Sequence, residues 1–211
     1  MAQGSHRVDG RRSEPASYAG AVDLRAWIST EHDGLRERFD RAVAANVPTP
    51  RWRERAGDGG SSIAWLVLHT AWHEDLAMQS AVQGTEPILA QWRSDLGLAV
   101  APASGGLEEA ETPSITAALD LEALQAYAAA VHDATDRWLA AADLSTLPEV
   151  PPSGDRIADL AGVTATDVAW LHSMWAGKPI AWFLQWEAVG HRQGHLGEMV
   201  SVRSRLGLSP F

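Results

Sequence analysis

The chain of 211 residues contains no cysteine. This absence excludes disulfide bonds, and it excludes a thiolate nucleophile or thiolate metal ligand supplied by the protein itself. A metal ion bound to this chain would have to be held by histidine, aspartate or glutamate. A reaction that uses a thiol would have to take it from a small molecule.

Basic residues are also scarce, because 17 Lys and Arg oppose 27 Asp and Glu and the formal net charge is −10. Nucleic acid and anionic membranes require dense positive patches, so neither is an expected partner. No run approaches the roughly 18 apolar residues of a membrane span. The N-terminus lacks a basic region followed by an apolar one, so we expect no secretory signal and a cytoplasmic location.

The apolar content of 45% and the charged content of 21% are ordinary for a soluble globular protein. The length predicts one domain with a sizeable core, which we place at residues 21–211. Residues 1–20 are expected to form a disordered tail.

No segment shows sustained alternation of apolar and polar residues, so strands are not expected. Alanine-rich runs carry leucine, tryptophan and valine at spacings of three and four, which predicts an all-α protein. Long connections favour a four-helix bundle with crossovers. The four long helices are predicted at about 21–46, 62–83, 114–142 and 178–206, with a short helix at about 164–175.

Two histidine pairs have helical spacing. His191 and His195 lie about 40° apart around a helix and roughly 6 Å apart along it, so both rings share one face and can bind one metal ion. His69 and His73 repeat the spacing on the second helix, and a bundle can bring the pairs together. Spacing alone does not choose between His69 and His73 as a third ligand, and two ordinary surface histidines remain the alternative for each pair.

Several neighbours of these histidines are further candidates. Glu74 and Glu187 are candidates for a catalytic base or for orienting a histidine ring, although both also suit ordinary helix-surface charges. Trp72 and Trp186 are candidates for lining a pocket mouth, with core filling as the alternative. Of the remaining histidines, His132 is expected to face solvent and His32 has no visible partner.

The chain resembles the DinB superfamily, the DinB/YfiT-like metalloenzymes. The resemblance covers roughly residues 60–207. It depends on four segments in a fixed order, which are SIAWLVLH (62–69), AWHED (71–75), LEALQAY (121–127) and HRQGHLGEM (191–199).

The resemblance implies a DinB/YfiT-like four-helix bundle with a long crossover, and a homodimer. It also implies a divalent metal ion held by one histidine of the second helix and by the HxxxH pair. Carried over by position, the ligands are His69, His191 and His195, and His73 lies beside them or at the mouth of the site. Zinc or nickel is the expected metal.

The resemblance further implies a thiol-dependent S-transferase or isomerase that uses a low-molecular-weight thiol such as mycothiol or bacillithiol and acts on a small-molecule substrate. The arginine-rich, lysine-poor composition favours mycothiol. Two alternatives stay open at this point. One is a metal-assisted hydrolase, and the other is a non-catalytic metal-binding bundle.

Overall fold

The computed structural model describes residues 23–57, 60–98, 109 and 113–208, and all regular secondary structure in these residues is helical. The predicted tail at 1–20 lies outside them. Nine α-helical segments follow in chain order: α1 (Leu24–Phe39), α2 (Ile63–Asp75), α3 (Leu89–Trp92), α4 (Pro113–Ala118), α5 (Leu121–Ala141), α6 (Ser153–Ala161), α7 (Ala169–Trp175), α8 (Ile180–Phe183) and α9 (His191–Arg205).

Three of the long helices contain π-helical turns. α1 continues as Asp40–Ala44, α2 continues as Leu76–Gln83, and Leu184–Gly190 joins α8 to α9. Short 3₁₀ helices follow at Thr49–Arg53 and Leu144–Thr146. The long helices predicted from the sequence at about 21–46, 62–83 and 178–206 are therefore present, each with a π-helical turn in it.

The single third helix predicted over about 114–142 is wrong, because the chain breaks between α4 and α5. Asp120 leaves the helical conformation and accepts hydrogen bonds from the backbone N–H groups of Glu122 and Ala123, so it begins a new helix as its N-cap. Its own backbone N–H donates to the carbonyl of Leu96, which ties the break to the preceding connection.

The last connection also differs from the prediction. Its short helix begins at Ala169, because Thr164 and Asp167 instead close a separate turn through their side chains. α6 was not predicted. It follows two prolines and ends at Gly162, whose φ of +68° is the left-handed conformation that favours glycine.

α2 lies at the centre of the fold and is buried along its length, His69 excepted. Ser62 caps it by accepting a hydrogen bond from the N–H of Trp65. The helix packs against α5 and α9, and its apolar side chains belong to one continuous core. Among the helices described, none combines the length and the apolar character needed to cross a membrane.

Candidate metal centre

Three histidine rings converge where α2 packs against α9. His69 Nε2 lies 3.1 Å from His191 Nε2, and His195 Nε2 lies 3.1 Å from the same atom. The helical spacing of four places His191 and His195 on one face, and the α2–α9 contact brings His69 to them from 122 residues away. All three rings remain partly accessible.

The donor set fits a divalent cation. Zinc–nitrogen bonds of about 2.0–2.1 Å at a tetrahedral angle would put the nitrogens about 3.3 Å apart, close to the separations found. His195 Nδ1 lies 2.9 Å from Glu198 Oε2. A carboxylate can only accept, so the proton of neutral His195 is on Nδ1 and the lone pair of Nε2 faces the other rings.

The electrostatic environment keeps His69 and His191 in their metal-binding form. Burial, helped by the neighbouring histidines, lowers the pKa of His69, and the same causes lower the pKa of His191 to about 2. Both rings are therefore neutral at neutral pH, and neutral imidazole is the form that binds metal ions.

Glu187 lies fully buried behind the cluster. Its Oε1 accepts a hydrogen bond of 2.7 Å from Trp175 Nε1, and its Oε2 lies 3.2 Å from His73 Nδ1. His191 Nδ1 is 3.6 Å from the same Oε2, too far for a hydrogen bond. Glu187 thus holds His73 directly and faces His191.

His73 lies beside the three-histidine group and not in it. Its ring centroid is 4.5 Å from that of His69 and 4.7 Å from that of His191. By donor distances it groups with Glu187 and His191, in a set that overlaps the first only at His191.

Tryptophans surround the histidines, but the two candidates from the sequence differ in position. Trp186 is 39% exposed and stacks on His191 with a centroid distance of 6.3 Å. Trp72, expected at a pocket mouth, is instead 3% exposed and part of the core. Trp65 stacks on His69 at 4.5 Å, which fixes the plane of that ring.

Glu74 is not at this centre. It lies on another face of α2, 1% exposed, where its two oxygens lie 2.9 Å from His32 Nε2 and 2.9 Å from Arg192 Nη1. Burial alone would raise its pKa, but Arg192 and His32 outweigh burial and lower the pKa to about 2. The expectation that Glu74 is a solvated charge or a base at the site is wrong.

The expectations for His32 and His132 are wrong as well. Both are buried, and their rings stack at 3.9 Å. His32 bridges Glu74 and Asp136, which lies 2.7 Å from its Nδ1. A signal for its burial was present, because His32 shares a helical stripe with Ile28 and Leu35.

His32, Asp33, His132 and Asp136 have donor types suited to a second cation, but the hydrogen bonding does not fit one. Arg192 Nη1 donates to His132 Nδ1 at 2.9 Å. Arginine cannot accept, so neutral His132 carries its proton on Nε2, the atom that would have to bind the cation.

The fold and the converging histidines together define a helical bundle with a candidate metal centre between two of its long helices. A family model described as the DinB superfamily matches residues 31–199, which is most of the chain. The chain therefore belongs to the DinB superfamily, and the resemblance stated from the sequence is confirmed, as is the all-α fold.

A solved structure similar to this chain is described as the crystal structure of the conserved protein of locus from Enterococcus faecalis. The two share 21% sequence identity with a TM-score of 0.56, over 89% of this chain and 99% of that chain. At this identity the likeness shows the fold alone. The comparison with curated proteins gave no match.

Proposed function

We propose that this protein is a metal-dependent enzyme whose divalent ion is held by His69, His191 and His195. The observation that carries the proposal is the convergence of three Nε2 atoms, separated by 3.1 Å along two edges. Three protein ligands leave one coordination position open, which is the usual arrangement of catalytic zinc. Zinc and nickel both suit imidazole ligands.

The proposed reaction is a thiol-dependent S-transfer or isomerisation with a low-molecular-weight thiol of the mycothiol or bacillithiol type. When bound, the ion would lower the pKa of a coordinated thiol and favour the thiolate at neutral pH. The chain has no cysteine of its own, so the thiol is a cosubstrate. Membership of the DinB superfamily supports this class of reaction.

Within this proposal His73 accepts the thiol proton. Glu187 Oε2 lies 3.2 Å from His73 Nδ1, and the carboxylate can only accept, so Nδ1 carries the proton of the neutral ring. The free lone pair is then on Nε2. Trp175 donates to the other oxygen of Glu187 and holds the carboxylate in place. Glu198 orients His195 in the same manner.

The test combines metal analysis with a thiol assay on protein purified without a histidine tag. Elemental analysis should find one equivalent of zinc or nickel, absent in His195→Ala and retained in His73→Gln. Consumption of mycothiol or bacillithiol with a panel of electrophiles should vanish in His195→Ala. In His73→Gln it should fall by about 10² or more, the usual contribution of a general base.

His172→Gln is the matched control, because His172 is a half-buried histidine bonded to the carbonyl of Val163, away from the cluster. It should keep both metal and activity. Metal retained in His195→Ala would remove the proposed centre. Bound metal without protein-dependent thiol consumption would contradict the transferase and leave the hydrolase and the non-catalytic bundle as the explanations.

A further inference from the structure

A row of side chains leads along α8 and the π-helical turn after it to the metal centre. It consists of Lys178, Trp182, Trp186 and His191, which we call the aromatic row. The ring centroids of Trp186 and His191 are 6.3 Å apart, those of Trp182 and Trp186 are 6.4 Å apart, and both pairs are stacked. Lys178 Nζ lies 5.4 Å from the centre of the Trp182 ring.

The π-helical turn creates this row. Trp182 lies in α8 and Trp186 lies four residues later in the π-helical turn, while Lys178 precedes Pro179, the N-cap of α8. His191 follows Trp186 at a spacing of five, which the wider π turn over Leu184–Gly190 brings into line. Gly190 lies within this turn, where an added Cβ would come 3.1 Å from the carbonyl oxygen of Gln185.

The row is accessible, and its two ends differ chemically. Trp186 is 39% exposed, although a large aromatic side chain gains from burial. At one end lies His191, a member of the three-histidine group. At the other end lies Lys178, the chain's single lysine, on a protein of net charge −10. The Lys178 ammonium group can pair with an anionic group at that end.

We propose that the aromatic row binds the substrate that reacts at the metal centre, and that this substrate is an elongated, planar, conjugated molecule with a carboxylate. Its conjugated part stacks on Trp186 and Trp182, and its carboxylate pairs with Lys178. This inference rests on the proposed function, because it names the substrate class of that site. It concerns binding, so it is tested without turnover.

The test is isothermal titration of biphenyl-4-carboxylate into protein of known metal content. The wild-type protein should bind it. Trp186→Ala should weaken binding by about tenfold, the upper range for loss of one aromatic pair. Lys178→Met should weaken binding of the carboxylate by about three- to fivefold, as expected for a solvated ion pair, and should leave binding of the neutral biphenyl-4-methanol unchanged.

Trp27→Ala is the control, because Trp27 is 56% exposed and lines an apolar groove between α1 and the π-helical turn, to which none of the four row residues contributes. It should bind like the wild type. Absence of binding, unchanged binding in Trp186→Ala, or loss in Trp27→Ala instead would each overturn the inference. Failure of the metal centre would appear separately, as missing metal in the elemental analysis.

Discussion

At the scale of single residues, a buried cluster of charged side chains lies on a different face of α2 from His69. Glu74, His32 and Arg192 come from three different helices and are joined by contacts of 2.9 Å. A buried ion pair of this kind adds little net stability over apolar packing, but removing one partner leaves the other charge uncompensated. Glu74 is therefore sensitive to substitution.

We predict that Glu74→Gln destabilises the fold at neutral pH by about 3 kcal/mol, taking about 1.4 kcal/mol per pKa unit. The folded pKa of about 2 lies below the usual 4.5. The ionised group thus contributes stability that is fully present above about pH 4.5 and is lost as the pH falls towards 2. Urea unfolding followed by circular dichroism should show wild type and variant converging over that range.

Glu54→Gln provides the control for charge, because Glu54 forms an exposed pair with Arg51. Surface pairs contribute little, so its unfolding curve should match that of the wild type. A Glu74→Gln difference that stayed constant from pH 7 to pH 2 would contradict the assigned ionisation of Glu74.

The sequence predicts some residues of the candidate site and not others, because helical spacing carries no information about contacts between helices. Helical spacing pairs His191 with His195, but only the family resemblance selects His69 over His73. The structure shows the difference, since His73 turns towards Glu187 while His69 stays partly accessible beside His191. Spacing gives no sign that Glu74 would be buried, because its partners His32 and Arg192 lie on other helices and meet it only through tertiary packing.

At the scale of elements, apolar periodicity predicts the long helices well and their irregularities poorly. The break at Asp120 depends on a capping side chain inside a sequence that otherwise reads as continuous helix. The apolar spacing that predicts these helices does not indicate their π-helical turns. The turn over Leu184–Gly190 matters most, because it sets the register between Trp186 and His191.

Alanine substitutions at Gly190, Gly194 and Gly197 allow the stability of a glycine inside the π-helical turn to be compared with that of two glycines in α9. Gly194→Ala and Gly197→Ala should each stabilise the fold by about 0.5–1 kcal/mol, because glycine is unfavourable inside a helix and an added Cβ meets open space at both positions. At Gly190 a Cβ would lie 3.1 Å from the carbonyl oxygen of Gln185. Gly190→Ala should therefore lose this gain and shift Trp186 relative to His191.

Denaturant unfolding of the three variants measures the stability difference, and elemental analysis reports whether the metal centre survives. Equal stabilisation by all three substitutions would show that the π-helical turn tolerates a side chain at Gly190, and that the close approach to Gln185 is not required.

At the scale of the whole molecule, the three histidines connect two helices that are distant in sequence. α2 and α9 already share the core, so a metal ion between them would add a cross-link to a packed interface and is not required to create one. The homodimer implied by the family resemblance stays a prediction. Its test is the molecular mass in solution.

We predict that the metal stabilises the folded protein as a ligand that binds the native state alone. At a free zinc concentration of about 100 times Kd, linkage gives about 2.7 kcal/mol. For a chain of this size that corresponds to a rise in Tm of about 5–10 °C.

Thermal melts of wild type with excess chelator and with buffered zinc measure the rise. His195→Ala should melt at one temperature in both conditions, because its cluster has lost a ligand, while His172→Gln should respond like the wild type. An equal rise in His195→Ala would mean that zinc stabilises the fold from another position. Because α2 is buried along its length, loss of the metal should lower Tm while the helical circular dichroism spectrum at 25 °C is retained.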